Sequence, residues 1–201
     1  MILEENNYMI SCRLNVFETN SSSSHSLVVK PGFDYYTPEE VFERFKWMFR
    51  ECEDEPGKYI LKPRDYWFAD GFNRWPFQVL DEFDSKLWYL YAHAPVRHLK
   101  QKTKNGYNRW TTEYYKVTNF LKKELPWLKT VDWSDCRDSM PSSEAYGFRG
   151  ALKKAGISWY EYLFNKNIVV ICDGDEYCVW NRLKEQQLVK LPKGTKEYTY
   201  G

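Results

Sequence analysis

Strand-patterned segments sit at both ends of this chain and helical stripes fill its middle. That segregation constrains the fold more than any single motif. Near the start, Arg13–Glu18 and His25–Lys30 alternate apolar and polar residues, the period of a half-buried strand. Near the end, NIVVICDGDEYCVW reads as two strands turning at Asp173–Gly174, a dipeptide suited to a tight hairpin. Thr195–Tyr200 reads as a last strand.

Between them the helical signals are local and specific. In TPEEVFERFKWMFR, Thr37 is a natural N-cap, Pro38 suits the first helical position and Glu40 completes a capping box. Val41, Phe42, Phe45, Met48 and Phe49 then share one stripe. Residues 51 to 78 are broken by Pro56, Gly57, Pro63, Gly71 and Pro76 and read as irregular, with a short strand at Tyr59–Leu61. A second helix is expected from about Val79 to Ala92, with Leu80, Phe83, Leu87 and Leu90 inward and Pro95 as its stop. A third starts near Thr111 or Thr112, carries Tyr114, Val117, Phe120 and Leu121, and ends before Pro126. Residues 134 to 150 read as loop, and Ser158 with Glu161 opens a short aromatic helix, SWYEYLFN. The expected fold is α+β: a mixed or antiparallel sheet built from N-terminal and C-terminal hairpins, with three or four helices between. The terminal strands are expected to share a sheet. Residues 1–201 read as a single domain, with an irregular or helical insertion at about 51–150.

Composition narrows the class. Of the 201 residues, 43% are hydrophobic and 28% charged, which suits a packed core and excludes a disordered chain. The formal charge of +1 argues against a protein that coats DNA, while leaving room for a local basic patch. No apolar run approaches the length of a membrane span. Aromatics reach 18%, enough to build a large-ring core and to supply an interface or a base-stacking surface. Five cysteines (Cys12, Cys52, Cys136, Cys172 and Cys178), no CxxC spacing and no secretory leader predict reduced thiols in a cytoplasm.

The stretch FETNSSSSHSLVV carries the sharpest functional signal. If its flanks form a symmetric hairpin, Val16 opposes Leu27, Leu14 opposes Val29, and Glu18 opposes His25 on the same face. A carboxylate there would orient the imidazole for acid–base work. Thr19, Asn20, Ser21, Ser22, Ser23 and Ser24 would form a hydroxyl-rich cap able to hold an anion or polar ligand. The same residues are ordinary loop formers, and neither a G-x-S-x-G elbow nor a P-loop is present. Asp173, Asp175 and Glu176 are candidate ligands for a divalent metal, joined by His25 if the strands converge, or they are simply a polar turn. A basic loop with Arg97, Lys100, Lys102, Lys104, Tyr107, Arg109 and Trp110 suits a nucleic-acid backbone or an acidic partner, or is a solvated loop.

FETNSSSSHSLVV and IVVICDGDEY resemble segments of uncharacterised small proteins encoded by bacteriophages and Gram-positive bacteria. Those proteins have no assigned activity, so the resemblance implies a setting and not a chemistry. What the resemblance implies is a phage-type accessory protein in a bacterial host cytoplasm, expected to act by binding a bacterial protein or nucleoprotein, with inhibition of host defence, anti-CRISPR-like or of another anti-defence kind, as one form of that action. The alternative is a small enzyme acting on a phosphorylated or nucleotide-like substrate through His25 and Glu18.

Overall fold

The computed structural model describes residues 24–63, 77–93, 110–133, 142–173 and 179–200. In chain order these form β1 (Ser24–Val29), α1 (Pro38–Arg44), a 3-10 turn (Lys46–Met48), β2 (Phe49–Glu51), β3 (Tyr59–Leu61), β4 (Gln78–Leu80) and α2 (Phe83–His93). Then come α3 (Trp110–Glu124), β5 (Leu128–Val131), α4 (Ser142–Ala155), α5 (Trp159–Phe164), β6 (Ile168–Asp173), α6 (Val179–Glu185) and β7 (Lys196–Tyr200). The class is α+β. One sheet has the order β4-β6-β1-β7 and is antiparallel throughout; the other, β2-β3-β5, is mixed. The first and last described strands, β1 and β7, are neighbours, as the two ends of the chain predict.

Pleating divides the larger sheet into two faces. Leu27, Leu80, Val170 and Cys172 belong to the main core, packed with Phe83, Leu87 and Tyr89 of α2, Phe148 of α4 and Tyr162 of α5. Val28, Val169 and Ile171 point the other way, under Trp180 of α6. β6 is therefore covered on both faces, which is why its apolar residues run without alternation. Each fully buried aliphatic or aromatic side chain contributes about 1.5–3 kcal/mol.

Both capping boxes form. Thr37 accepts from the Glu40 N–H at 3.1 Å, and Ser158 from the Glu161 N–H at 3.2 Å. Tyr59–Leu61 is a strand, as expected. Five expectations are corrected. β1 is flanked by β6 and β7 on its two edges, so neither edge is left for a hairpin partner in the segment Arg13–Glu18, which lies outside the described residues. β6 is likewise taken by β4 and β1, and Val179–Glu185 forms a helix where the Asp173–Gly174 hairpin required a strand. Its register with two neighbours decided this, and a turn dipeptide carries no information about neighbours. The 134–150 stretch contains most of helix α4 from Ser142 onward. Finally, α1 stops at Arg44 with Phe49 in β2, and β4 precedes α2 where one helix was expected from Val79.

Candidate functional site

Ser24 pairs with Asp173 at one end of the larger sheet, so the serine run enters where the DGDE run leaves. One residue further in, His25 opposes Cys172 on one side and Tyr200 on the other, and Gln78 opposes Cys172 from β4. Directly opposed residues share a face, so these four form a row across the sheet. The Tyr89 hydroxyl of α2 reaches down to it, 2.8 Å from His25 Nδ1 and 3.0 Å from the Tyr200 hydroxyl. Either Tyr200 donates to Tyr89 and Tyr89 to Nδ1, or the protonated Nδ1 donates to Tyr89 and Tyr89 to Tyr200; both account for the two contacts.

The row is interior. His25, Cys172 and Tyr89 are fully buried. Burial holds the imidazole down to a pKa of about 4, so it is neutral at pH 7. Burial, with Tyr200 and Cys172 adding to it, pushes the Tyr89 phenol well above its ordinary range. The enclosed amide of Gln78 has no hydrogen-bond partner among the described residues, a cost of about 1–3 kcal/mol. A neutral imidazole with Nδ1 on a buried phenol joins the sheet to α2.

Glu18, Thr19, Asn20, Ser21, Ser22 and Ser23 lie outside the described residues, and Ser24 is the first residue of β1. The pairing that was to bring Glu18 beside His25 is overturned by the occupied edges of β1. Asp173 faces away from His25, with its carboxylate accepting from the Val179 and Trp180 N–H groups at 3.0 Å each. His25 and Asp173 therefore do not share a face of the sheet, and no cluster of three or more His, Cys, Asp or Glu side chains suited to a metal occurs among the described residues. Asp175 and Glu176 lie outside them, as do Arg97, Lys100, Lys102, Lys104, Tyr107 and Arg109, while Trp110 starts α3. No helix among the described residues is long and apolar enough to cross a membrane.

A second constellation was not expected from the sequence. The stretch from Lys30 to Tyr36 is strapped to the turn between α5 and β6 by three backbone hydrogen bonds. The Lys30 N–H donates to the Asn167 carbonyl (2.9 Å), the Lys166 N–H to Asp34 (2.7 Å) and the Tyr36 N–H to Phe164 (2.8 Å). At the apex Gly32 takes φ +121, a conformation that disfavours any side chain, and Phe33 stands 92% exposed. Tyr35 stacks on Tyr160 with centroids 5.6 Å apart, and Tyr160 stacks on Phe164 at 4.9 Å. Lys166 bridges Asp34 (3.1 Å) and Glu40 (3.2 Å). The signal available in sequence was PGFDYY, a glycine turn followed by three rings.

Beneath this strap lies Lys86 of α2, fully buried, donating to the Asn165 carbonyl (2.9 Å) and the Ile168 carbonyl (3.3 Å). Burial lowers its pKa to about 7. It satisfies the Asn165 carbonyl at the C-terminal end of α5, where a cation is favoured, and that of Ile168 at the start of β6. Comparison with protein families, curated proteins and solved structures returned no match.

Proposed function

We propose that the protein acts by binding a bacterial protein or nucleoprotein, with the Phe33 turn as part of the contact surface. The observation that carries this reading is an exposed phenylalanine on a turn pinned by backbone hydrogen bonds at both shoulders. A loose loop loses backbone entropy when it docks; a turn whose backbone is already pinned loses less. With Tyr35 two residues on, stacked on Tyr160, and the charged groups Asp34, Glu40 and Lys166 close by, the turn combines features found at interface hot spots. The resemblance to phage-encoded proteins supports the further reading: the target belongs to the host cytoplasm and the effect is inhibition, host defence included. The enzymatic alternative loses support because His25 is enclosed and its supposed hairpin partner has no edge to occupy.

The test is affinity capture from bacterial lysate with the wild type and a Phe33→Ala/Tyr160→Ala variant. The expected result is loss of the captured protein with an unchanged far-UV spectrum and a melting temperature within a few degrees, since both rings are largely outside the core. Equal capture by the variant overturns the reading.

A further inference from the structure

We infer that the segment docking on this turn carries arginine. Its guanidinium groups would stack on Phe33 and Tyr35, the latter backed by Tyr160, and pair with the carboxylates around them. The inference rests on the docking reading above and deepens it.

The chain as a whole is nearly neutral, at +1, but this surface is not. Around Tyr36, the carboxylates of Asp34, Glu40, Asp81 and Glu82 face the cations Lys166 and Arg44, four against two. Lys30 on the strap and the partly protonated Lys86 beneath it bring this inner set close to balance. The acidic excess comes from Glu39 and Glu43 on the exposed side of α1, neither of which pairs with a cation among the described residues. An acidic field of this kind draws in a basic segment and repels a phosphate backbone, which favours a protein segment over a nucleic acid at this surface.

The protein already shows the chemistry with its own cations. Lys166 Nζ lies 4.8 Å from the Tyr36 ring centroid while bridging Asp34 and Glu40. Arg44 lies 5.8 Å from the same ring while paired with Glu82. Ring face plus carboxylate is therefore the recurring cation seat here. The outer rings Phe33 and Tyr35 present the same elements with no internal cation among the described residues, and Tyr160, stacked between Tyr35 and Phe164, supports Tyr35. Arginine fits better than lysine because its planar group can stack on a ring and fork onto a carboxylate at once.

The test uses the full chain and labelled oligo-arginine, oligo-lysine and oligo-glutamate peptides, read by fluorescence anisotropy. Expected is saturable binding of oligo-arginine that weakens with rising salt, weaker binding of oligo-lysine and none of oligo-glutamate. Phe33→Ala/Tyr160→Ala and Asp34→Asn/Glu40→Gln should each lower the oligo-arginine affinity by about tenfold or more, near 1.4 kcal/mol; the Gln at 40 preserves the helix cap. No saturable binding of oligo-arginine, equal binding of oligo-glutamate, or affinity untouched by the ring variant overturns the inference. If oligo-arginine fails to bind while the ring variant still abolishes capture from lysate, the arginine partner is wrong and the docking surface stands. If capture is untouched, the docking reading itself fails.

Discussion

His25 Nδ1 and the Tyr89 hydroxyl, 2.8 Å apart, join the second residue of β1 to the middle of α2 across 64 positions of sequence. The contact is between two groups that burial keeps neutral, and that makes it sensitive to acid. With the native pKa near 4 against an ordinary 6.5, the unfolded chain binds a proton in that window that the folded protein does not. The contribution is complete above pH 6.5 and is lost as pH falls toward 4, at up to about 1.4 kcal/mol per unit. Urea unfolding at several pH values should show a steeper loss for the wild type than for His25→Phe, which keeps a ring but cannot titrate. Parallel pH profiles for the two proteins would show that His25 is not the source.

Lys86 makes the opposite end of the pH scale informative. Its folded pKa of about 7 lies below the ordinary 10.5, so between those values the unfolded chain again holds the extra proton. Stability should rise with pH across that window; Asp81 pulls the pKa up and Lys30 pushes it down, both less than burial does. Lys86→Met keeps the side chain's length and removes the titration. The expected outcome is that the alkaline rise present in the wild type is absent from the variant, measured by denaturant unfolding between pH 7 and 10. A rise of equal slope in both would place the titrating group elsewhere.

What could be read from sequence was whatever local residues decide. Thr37 with Glu40 and Ser158 with Glu161 build their caps within four residues, so spacing suffices to find them. Strand period likewise exposes β1, while β6 shows as an unbroken apolar run and β3 and β7 as short strand-like stretches. Neighbour choice was hidden, because nothing in ETNSSSSHS states that β1 will be sandwiched between β6 and β7. The same blindness turned Cys178–Trp180 into a strand, although Trp180 is needed over Val28, Val169 and Ile171. Helix α4 was concealed by Gly147 and Gly150, residues that lower helix propensity but are there for spatial reasons or tolerated at the surface. In the candidate site, His25 was recognised as unusual, but its partners Tyr89 and Tyr200 come from elements far along the chain.

Asp173, read from sequence as a turn or metal ligand, behaves as a cap. Its two carboxylate oxygens take the Val179 and Trp180 N–H groups, which otherwise end α6 unpaired. Asp173→Ala should cost about 1–2 kcal/mol. The loss should appear as faster amide exchange at Val179 and Trp180 and a red shift in Trp180 emission. Asp173→Asn, with one acceptor left, should fall between. An alanine variant with native exchange at both amides would remove the capping role.

Two glycines of one helix should respond in opposite directions. At Gly150 an added methyl meets nothing within 4 Å, so Gly150→Ala should gain the helical preference of alanine, about 0.5–1 kcal/mol. At Gly147 the same methyl would lie 3.0 Å from Tyr200 Cδ2 and 3.1 Å from its Cβ. The ring could swing aside, but the Cβ is fixed by β7, and swinging the ring would break its 3.0 Å hydrogen bond to Tyr89. Overpacking of this kind costs about 1–3 kcal/mol, enough to outweigh the helical gain. Gly147→Ala should therefore lower the melting temperature while Gly150→Ala raises it, and the former should also shift the histidine resonances of His25. If both substitutions stabilise the protein, α4 does not press on β7 as closely as described, and the polar row beneath it is free to rearrange.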